Sequence, residues 1–406
     1  MDDFAFEPTR SAALERLQRF VPLAGSAYAS ERNYDHGAGR HDNVSVLSPY
    51  LRTRLITEDD VLTAVLGRFS PKTAEKFVQE VYWRTYFKGW LEHRPSVWTA
   101  YRASLSRHLD DVHSRSGLRQ VWEDACTGNT GIACFDSWAD ELVRTGYLHN
   151  HARMWFASIW IFTLNLPWEL GADFFLRHLA DADPASNTLS WRWVGGLHTQ
   201  GKHYLARAWN IKRYTNGRFD PDGSLNETAG PLPFVPHPPR IALPQDDRPP
   251  REARIALILH EEDLSPGNLI AAGQAPVATA TVVTRSELSP LMVAPQTLGF
   301  SGGAIADTIS RWSDRIGPVT ACTSVADLAT WAASTGAEAI VAPYAPAGPT
   351  QHMLTALRAR LADQGQSLHL RLRRYDAAAW PHATAGFFKL KEKIPGLLVE
   401  QRNRAA

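Results

Sequence analysis

The residues whose types and spacing could do chemistry concentrate between Gly146 and Trp193. That stretch reads GYLHNHARMWFASIWIFTLNLPW, then a short helical pattern, then DADPASNTLSWRW. It holds a D-x-D (Asp181, Asp183), Asn187 four residues on, and a Trp191–Trp193 pair. Asp183 can accept hydrogen bonds, and Asp181 can pair with a nearby Arg such as Arg153. Taken alone, DADP reads better as an acidic turn ending a helix. Upstream, Glu80, Trp83, Arg84 and Phe87 fall at i, i+3, i+4 and i+7, one helical face. Asn150 and Met154 are i, i+4 on another. An ordinary aromatic core accounts for Trp83 but poorly for Glu80 and Asn150, which would need partners if buried. His149 and His151 flank Asn150 without metal-ligand company and read as structural or solvated. Downstream, Arg192, Lys202, Arg207, Lys212, Arg213 and Arg218 form a stretch with no Asp or Glu. It suits phosphate contacts or a solvated charged face.

These residues must be positioned by a chain of 406 residues, enough for two or three domains. The net charge of +1 gives no overall sign of a nucleic acid or membrane partner, so a DNA site would have to be a local patch. Cys126, Cys134 and Cys322 lack metal-ligand spacing, and no metal is expected. Their odd count fits a reduced cytosol. MDDFAFEPTR does not read as a signal peptide, and Trp155–Leu166 is too short to span a bilayer. A cytoplasmic monomer with no membrane partner is expected.

The composition shifts near residue 230. Eleven of the 14 Trp lie between Trp83 and Trp209, and eight prolines fall between Pro231 and Pro250, which reads as a linker. Before it, helical patterns cover Ala12–Phe20, Thr57–Leu66, Ser70–Leu91 (with Ser-Pro as N-cap and N1), Phe135–Thr145, Leu148–Leu164 and Gly171–Leu179. After it, strand-like runs at Arg254–Leu259, Val277–Val283, Val319–Thr323, Ala339–Ala342 and Leu368–Leu372 alternate with helical patterns at Ala304–Ile316, Val325–Ser334 and Thr350–Gln364. That alternation predicts a doubly wound parallel sheet. No G-x-G-x-x-G opens a helix, and Ser301-Gly302-Gly303 is a weak phosphate-loop candidate that reads better as a turn.

Several motifs, in order, resemble the helical FAD domain of photolyases and cryptochromes. Tyr28 and Arg32 resemble Tyr-x-x-x-Arg. Asn43–Leu51 (NVSVLSPYL) resembles G-T-S-x-L-S-P-x-L, with Asn43 and Val44 replacing Gly and Thr. EVYWRTYF (Glu80–Phe87) resembles E-L-x-W-R-E-F-Y, and GNTGIACFD (Gly128–Asp136) resembles G-x-T-G-x-P-x-V-D. HNHARM (His149–Met154) resembles H-N-R-x-R-M, and DADPASN resembles D-x-D-x-A-x-N. Trp191 and Trp193 match a W-Q-W pair with Arg192 in place of Gln, and NIKRY (Asn210–Tyr214) falls where the family has N-P or N-I. The part after the linker resembles the family's α/β antenna domain more weakly. That domain normally precedes the FAD domain; here it follows, as if the gene had been permuted. The resemblance implies an all-helical FAD-binding domain at 1–228, a linker at 229–252 and a doubly wound parallel α/β domain at 253–400.

It also implies roles. FAD would be held by Tyr28, the turn Val44, Ser45, Val46, Leu47 and Ser48, Phe77, Glu80 and Arg84, and by Tyr147, Asn150, Arg153, Asp181, Asp183 and Asn187. Asn187 matches the position set against the reactive flavin nitrogen, where a neutral amide tolerates both oxidised and reduced rings. DNA containing pyrimidine dimers would meet Arg32, Glu80, Trp83, Asn150, His151, Met154, Trp193 and Arg207. In (6-4) photolyases the positions of Asn150 and Met154 are both His, so cyclobutane-dimer chemistry is the better expectation. Trp191 and Trp168 match two members of an electron-transfer chain. The third would fall between about 103 and 121, where no Trp occurs, and Trp98, Tyr101, Trp155 and Trp160 stay open as substitutes. The expected activity is light-driven repair of cyclobutane dimers from reduced FAD, a photolyase-type lyase. The rivals are a cryptochrome-type photoreceptor with an unidentified signalling partner, and a flavoprotein without a light role. The antenna pigment stays unassigned.

Overall fold

The structure, a computed structural model, describes residues 6–270 and 275–405. Helices fill the first part: α1 (Arg10–Phe20), α2 (Ser26–Glu31), α3 (Ser48–Arg52), α4 (Glu58–Arg68), α5 (Glu75–Glu92) and α6 (Ser96–Ser114). They continue with α7 (Ser116–Thr127), α8 (Ala133–Thr145), α9 (Asn150–Ser158), α10 (Trp168–His178), α11 (Pro184–Val194) and α12 (Ala208–Tyr214). Local chemistry sets several boundaries. Thr57 and Asp60 form a reciprocal capping box on α4. Asp183 caps α11 by accepting from the Ser186 N–H at 2.7 Å, with Pro184 at the first helical position. Ser70-Pro71 does not start α5 as its sequence predicts. The Ser70 hydroxyl accepts from the Thr73 N–H at 3.2 Å, which holds 71–74 in a turn, and the helix begins at Glu75. The helix expected over Leu148–Leu164 is α9 followed by a π-helical turn at Ile159–Thr163.

The second part contains β1 (Ile255–His260), β2 (Thr279–Val282), β3 (Val319–Ala321), β4 (Ala339–Pro343) and β5 (Ser367–Arg371) in one parallel sheet of order β3-β2-β1-β4-β5. Leu257 of β1 lies opposite both Thr279 and Val341. β1, β2 and β4 are buried throughout, as expected of a sheet covered on both faces. The covering helices are α13 (Pro295–Trp312), α14 (Val325–Ser334) and α15 (Pro349–Asp363). Ser301-Gly302-Gly303 is not a loop but the middle of α13. A side chain at Gly303 would meet Pro8 at 2.3 Å, so the glycine allows helix contact rather than phosphate binding.

The strand order reverses between β1 and β4, where doubly wound sheets usually bind ligands at the carboxyl ends of the strands. Here protein fills that crevice. Arg52 pairs with Glu262 through two bonds of 2.6 and 2.5 Å, and Arg54 pairs with Asp263 at 3.2 Å. Glu92 accepts from the Tyr344 hydroxyl and from the Ala347 N–H at 2.7 Å. Arg285, fully buried, donates to the carbonyls of Leu179, Ala180 and Ala182 at 2.8–3.0 Å. The two parts are thus joined by buried charge pairs and hydrogen bonds.

After β5 come α16 (Arg374–Ala379), α17 (Phe387–Lys391) and α18 (Ile394–Ala405). Tyr375, Ala379, Phe387, Leu390, Ile394 and Leu397 share the core of the helical part. Residues 229–252 contain no helix or strand; the Leu232 N–H on Gly195 O and the Ile241 N–H on His93 O, both at 2.9 Å, tie the first half to the helical part, and the Asp247 N–H on Leu370 O at 3.2 Å ties the second half to β5. No helix among the described residues is long and apolar enough to cross a membrane.

Candidate active site

α5 carries the site along one stripe. Glu80 pairs with Arg32 at the end of α2. One turn on, Arg84 lies between Glu58 at 3.9 Å and Asp183 at 3.7 Å. A further turn on, Lys88 reaches Asp183 at 3.5 Å, and Arg52 stands 3.9 Å from the same carboxylate. Burial opposes charge on Asp183, but Lys88, Arg84 and Arg52 hold its pKa well below the usual carboxylate range. Glu80 is the reverse case. Burial raises its pKa and Arg32 only partly offsets that, so its proton is held more firmly than in water.

The turn before α3 is strained. Val46, a β-branched residue, has φ 49°, a left-handed conformation that costs energy and clusters at ligand sites. Ser45 and Ser48 are half-buried, and their hydroxyls make no hydrogen bond among the described residues, while Val44 is half-buried and Leu47 buried. Asn43, where the family has Gly, donates to the carbonyls of Glu31 and Tyr34 at 2.8 Å each and ties the turn to α2. The rings of Tyr28 and Phe77 meet edge to face at 5.3 Å. Arg153 grips both oxygens of Asp181 at 3.0 and 3.2 Å and stands 5.4 Å over the Tyr147 ring. The Asn187 amide donates to Ala172 O at 2.8 Å, which fixes the side chain and leaves its oxygen without a donor among the described residues.

Several of the residues expected to meet DNA are linked in series. Arg32 joins Glu80. Next to it, Asn33 O bonds His151 Nδ1 at 2.9 Å. His151 stacks on Trp155 at 4.0 Å and meets the Tyr204 hydroxyl at 3.5 Å, and Tyr204 stacks on Trp193 at 5.9 Å. Glu80, Asn150 and Trp193 make no direct contact with one another. Asn150 is exposed and Met154 half-buried. Trp83 is not an open wall on both faces. Phe387 of α17 stacks on it at 3.8 Å and 12°. His149 caps α9 and is buried, in keeping with a structural role.

The basic stretch changes most. Arg207 pairs with Glu227 at 3.3 Å, Lys212 with Asp220 at 2.7 Å and Arg218 with Asp35 at 2.8 Å. The acids that neutralise it lie just beyond Arg218 or far upstream, so a window ending at 218 shows an excess that the fold cancels. Lys202 and Arg213 remain as exposed cations without an ion pair among the described residues.

Trp191 packs against α10 at Gly171, where an added Cβ would lie 2.3 Å from the indole, so only glycine admits the ring. Trp168 begins the same helix. Sequence reasoning missed Lys88, Arg52, Glu58 and Glu262. Lys88 follows Glu80 and Arg84 at the same spacing of four and could have been found that way. Arg52 and Glu262 meet across 210 residues, and no local pattern joins them.

These residues fit FAD on one structural point. Arg84 Nε and Nη2 and Lys88 Nζ are buried donors that find no hydrogen-bond acceptor among the described residues, although both groups lie near carboxylates. A pyrophosphate would satisfy such donors. Comparison with known proteins agrees. The family described as the FAD binding domain of DNA photolyase matches residues 77–228. A deoxyribodipyrimidine photo-lyase of Alkalihalophilus pseudofirmus is 29% identical over 217 residues, covering 53% of this chain and 43% of its own length. Another, from Thermus thermophilus, is 32% identical over 245 residues, covering 60% and 56%. A class III photolyase structure from Agrobacterium tumefaciens aligns with a TM-score of 0.41 at 25% identity, over 51% of this chain and 43% of that one. The chain spans about half the length of the curated relatives it matches. With residues 77–228 matching the FAD binding domain of DNA photolyase and a five-stranded parallel α/β sheet after them, the chain is similar to proteins of the photolyase/cryptochrome family.

Proposed function

We propose that the protein repairs cyclobutane pyrimidine dimers in DNA by light-driven electron transfer. The observation that carries this reading is the α5 stripe, on which Glu80, paired with Arg32, lies one turn from Arg84 and two turns from Lys88, both buried cations. When bound, reduced FAD supplies a blue-light-excited one-electron donor. The protein's part is to bind, orient and tune it. Arg84 and Lys88, with the strained turn at Val46, would hold the pyrophosphate. Asp183 is kept ionised to accept from ribose or adenine. Arg153 fixes Asp181, and Asn187 presents its amide oxygen. Glu80, protonated more readily than a free carboxyl, would donate a hydrogen bond to a base carbonyl as negative charge develops there. Trp83 and Trp193 would stack on an extruded lesion.

The Trp83–Phe387 stack and the Glu80–Arg32 pair favour a second reading, a blue-light photoreceptor that binds FAD without repair. In that case the chain's own C-terminal segment would occupy ground that a flipped base uses. One comparison tests the first reading against the second. Trp193→Ala should keep intact, non-covalently bound FAD and weaken dimer-containing DNA by roughly 1–3 kcal/mol. FAD retained with equal affinity for damaged and undamaged DNA, in wild type and variant alike, assigns the protein to the photoreceptor class. A colourless protein that cannot be reconstituted with FAD sinks both.

A further inference from the structure

The Trp168 ring lies 5.5 Å from Tyr101, and Tyr101 lies 5.2 Å from Trp98, each at 35°. This series joins α10 to α6 and ends at a cleft of about 420 Å³ that Trp98 lines with Arg102, Glu287 and His352. The other candidates lead nowhere. Trp160 stands 6.1 Å from Trp191, but its remaining ring neighbours are Phe135, Phe156 and Phe174, which are far harder to oxidise than indole or phenol. Trp155 packs on Trp138 and His151 and has no ring contact with Trp191 or Trp168.

Charge then singles out one ring in the series. The Arg192 guanidinium, where the family carries a neutral Gln, is 6.0 Å from the Trp168 ring. Arg102 is 5.9 Å from Trp98. Each cation disfavours an indole radical cation beside it. Tyr101 escapes that penalty if it loses its proton on oxidation. Among the described residues its buried hydroxyl makes no hydrogen bond, and neither does the buried Oδ1 of Asp173 on the facing helix, although Ser289 interacts with that carboxyl. The Asp173 charge reaches the phenol, while Arg177 holds the other carboxylate oxygen at 2.9 Å. Burial raises the pKa of Asp173 despite Arg177, which suits it to accept a proton.

We propose that Tyr101 is the terminal electron donor behind Trp191 and Trp168, with Asp173 taking the phenol proton. This rests on the reading that FAD binds at the site above. The oxidant is the oxidised bound flavin excited by blue light, which draws one electron through Trp191 and Trp168. The Trp168 radical cation takes one electron from Tyr101. The Tyr101 O–H bond breaks, and its proton forms an O–H bond at Asp173. The products are neutral Trp168, a neutral tyrosyl radical and a protonated Asp173.

The test is flash excitation of the protein carrying oxidised FAD, followed by transient absorption and freeze-quench electron paramagnetic resonance. Wild type should show a tyrosyl radical whose formation slows in deuterated water. Tyr101→Phe removes a hydroxyl without partners, so its thermal unfolding should be unchanged. The tyrosyl signal should vanish and the long-lived radical yield should fall several-fold. Trp98→Phe should keep the tyrosyl signal. Asp173→Asn should slow its formation and abolish the isotope effect. Bound, photoreducible FAD with indole radicals alone, equal in wild type and Tyr101→Phe, overturns this proposal and leaves the FAD reading standing. Absence of bound FAD sinks both.

Discussion

Replacing Glu262 by Leu should strand the Arg52 guanidinium at the junction of the two parts. The Arg52 and Glu262 side chains are 1% and 5% exposed and share two short hydrogen bonds. Breaking a buried pair from one side costs about 3–5 kcal/mol, because the other charge stays desolvated. Arg52 keeps Ala182 O at 2.9 Å and Asp183 at 3.9 Å, which places Glu262→Leu near the lower end, about 3 kcal/mol. Arg52→Met strips Glu262 of its hydrogen-bonded cation and removes one of three cations around Asp183, so about 4–5 kcal/mol is expected. The double variant buries no unpaired charge at this pair. It should be less destabilised than the sum of the single variants by about 3 kcal/mol, a coupling expected only of groups in contact. Urea unfolding followed by tryptophan fluorescence, with FAD release recorded in parallel, measures the cycle. Strictly additive effects, or single variants that each cost under about 1 kcal/mol, would refute a buried charge pair as the junction between the two parts.

Glu92 gives a pH signature. Burial pushes it up to about 7 although Tyr344 and Ala347 bond it, so the folded state binds its proton more tightly than the unfolded state. The associated stability, about 3 kcal/mol, is present below about pH 4.5 and is lost as the pH rises through 7; unfolding of Glu92→Gln should lack that slope. Arg207→Ala should leave the salt dependence of DNA binding unchanged because Arg207 is already neutralised by Glu227, whereas Arg213→Ala should reduce the slope by about one if this face meets phosphates. Glu80→Ala should keep its FAD, as measured by release on denaturation, yet lose much of its repair yield; an unchanged yield would remove Glu80 from the mechanism.

Where one helix face or one short motif carries the information, the sequence was legible. Glu80, Trp83 and Arg84 lie on one continuous helix, Arg153 meets Asp181 as residue type and spacing indicate, and the five strands fall where the β-rich runs put them. What stayed hidden is what long-range packing decides. Arg207 looks free in sequence because its partner, Glu227, lies 20 residues on across the chain's turn. Phe387 is an unremarked apolar residue until α17 folds back across 304 residues to cover Trp83. α6 has few sequence signals of its own, and with it Tyr101 and Trp98 stayed unranked among four aromatic candidates until their ring distances separated them.

The most direct test is to give the purified, reduced protein an oligonucleotide containing one cyclobutane thymine dimer and to count restored thymines under blue light and in the dark. Repair that depends on light, in single- or double-stranded DNA, is the expected result. FAD-loaded protein that restores no thymine in either substrate under blue light would contradict it and leave the photoreceptor reading in its place.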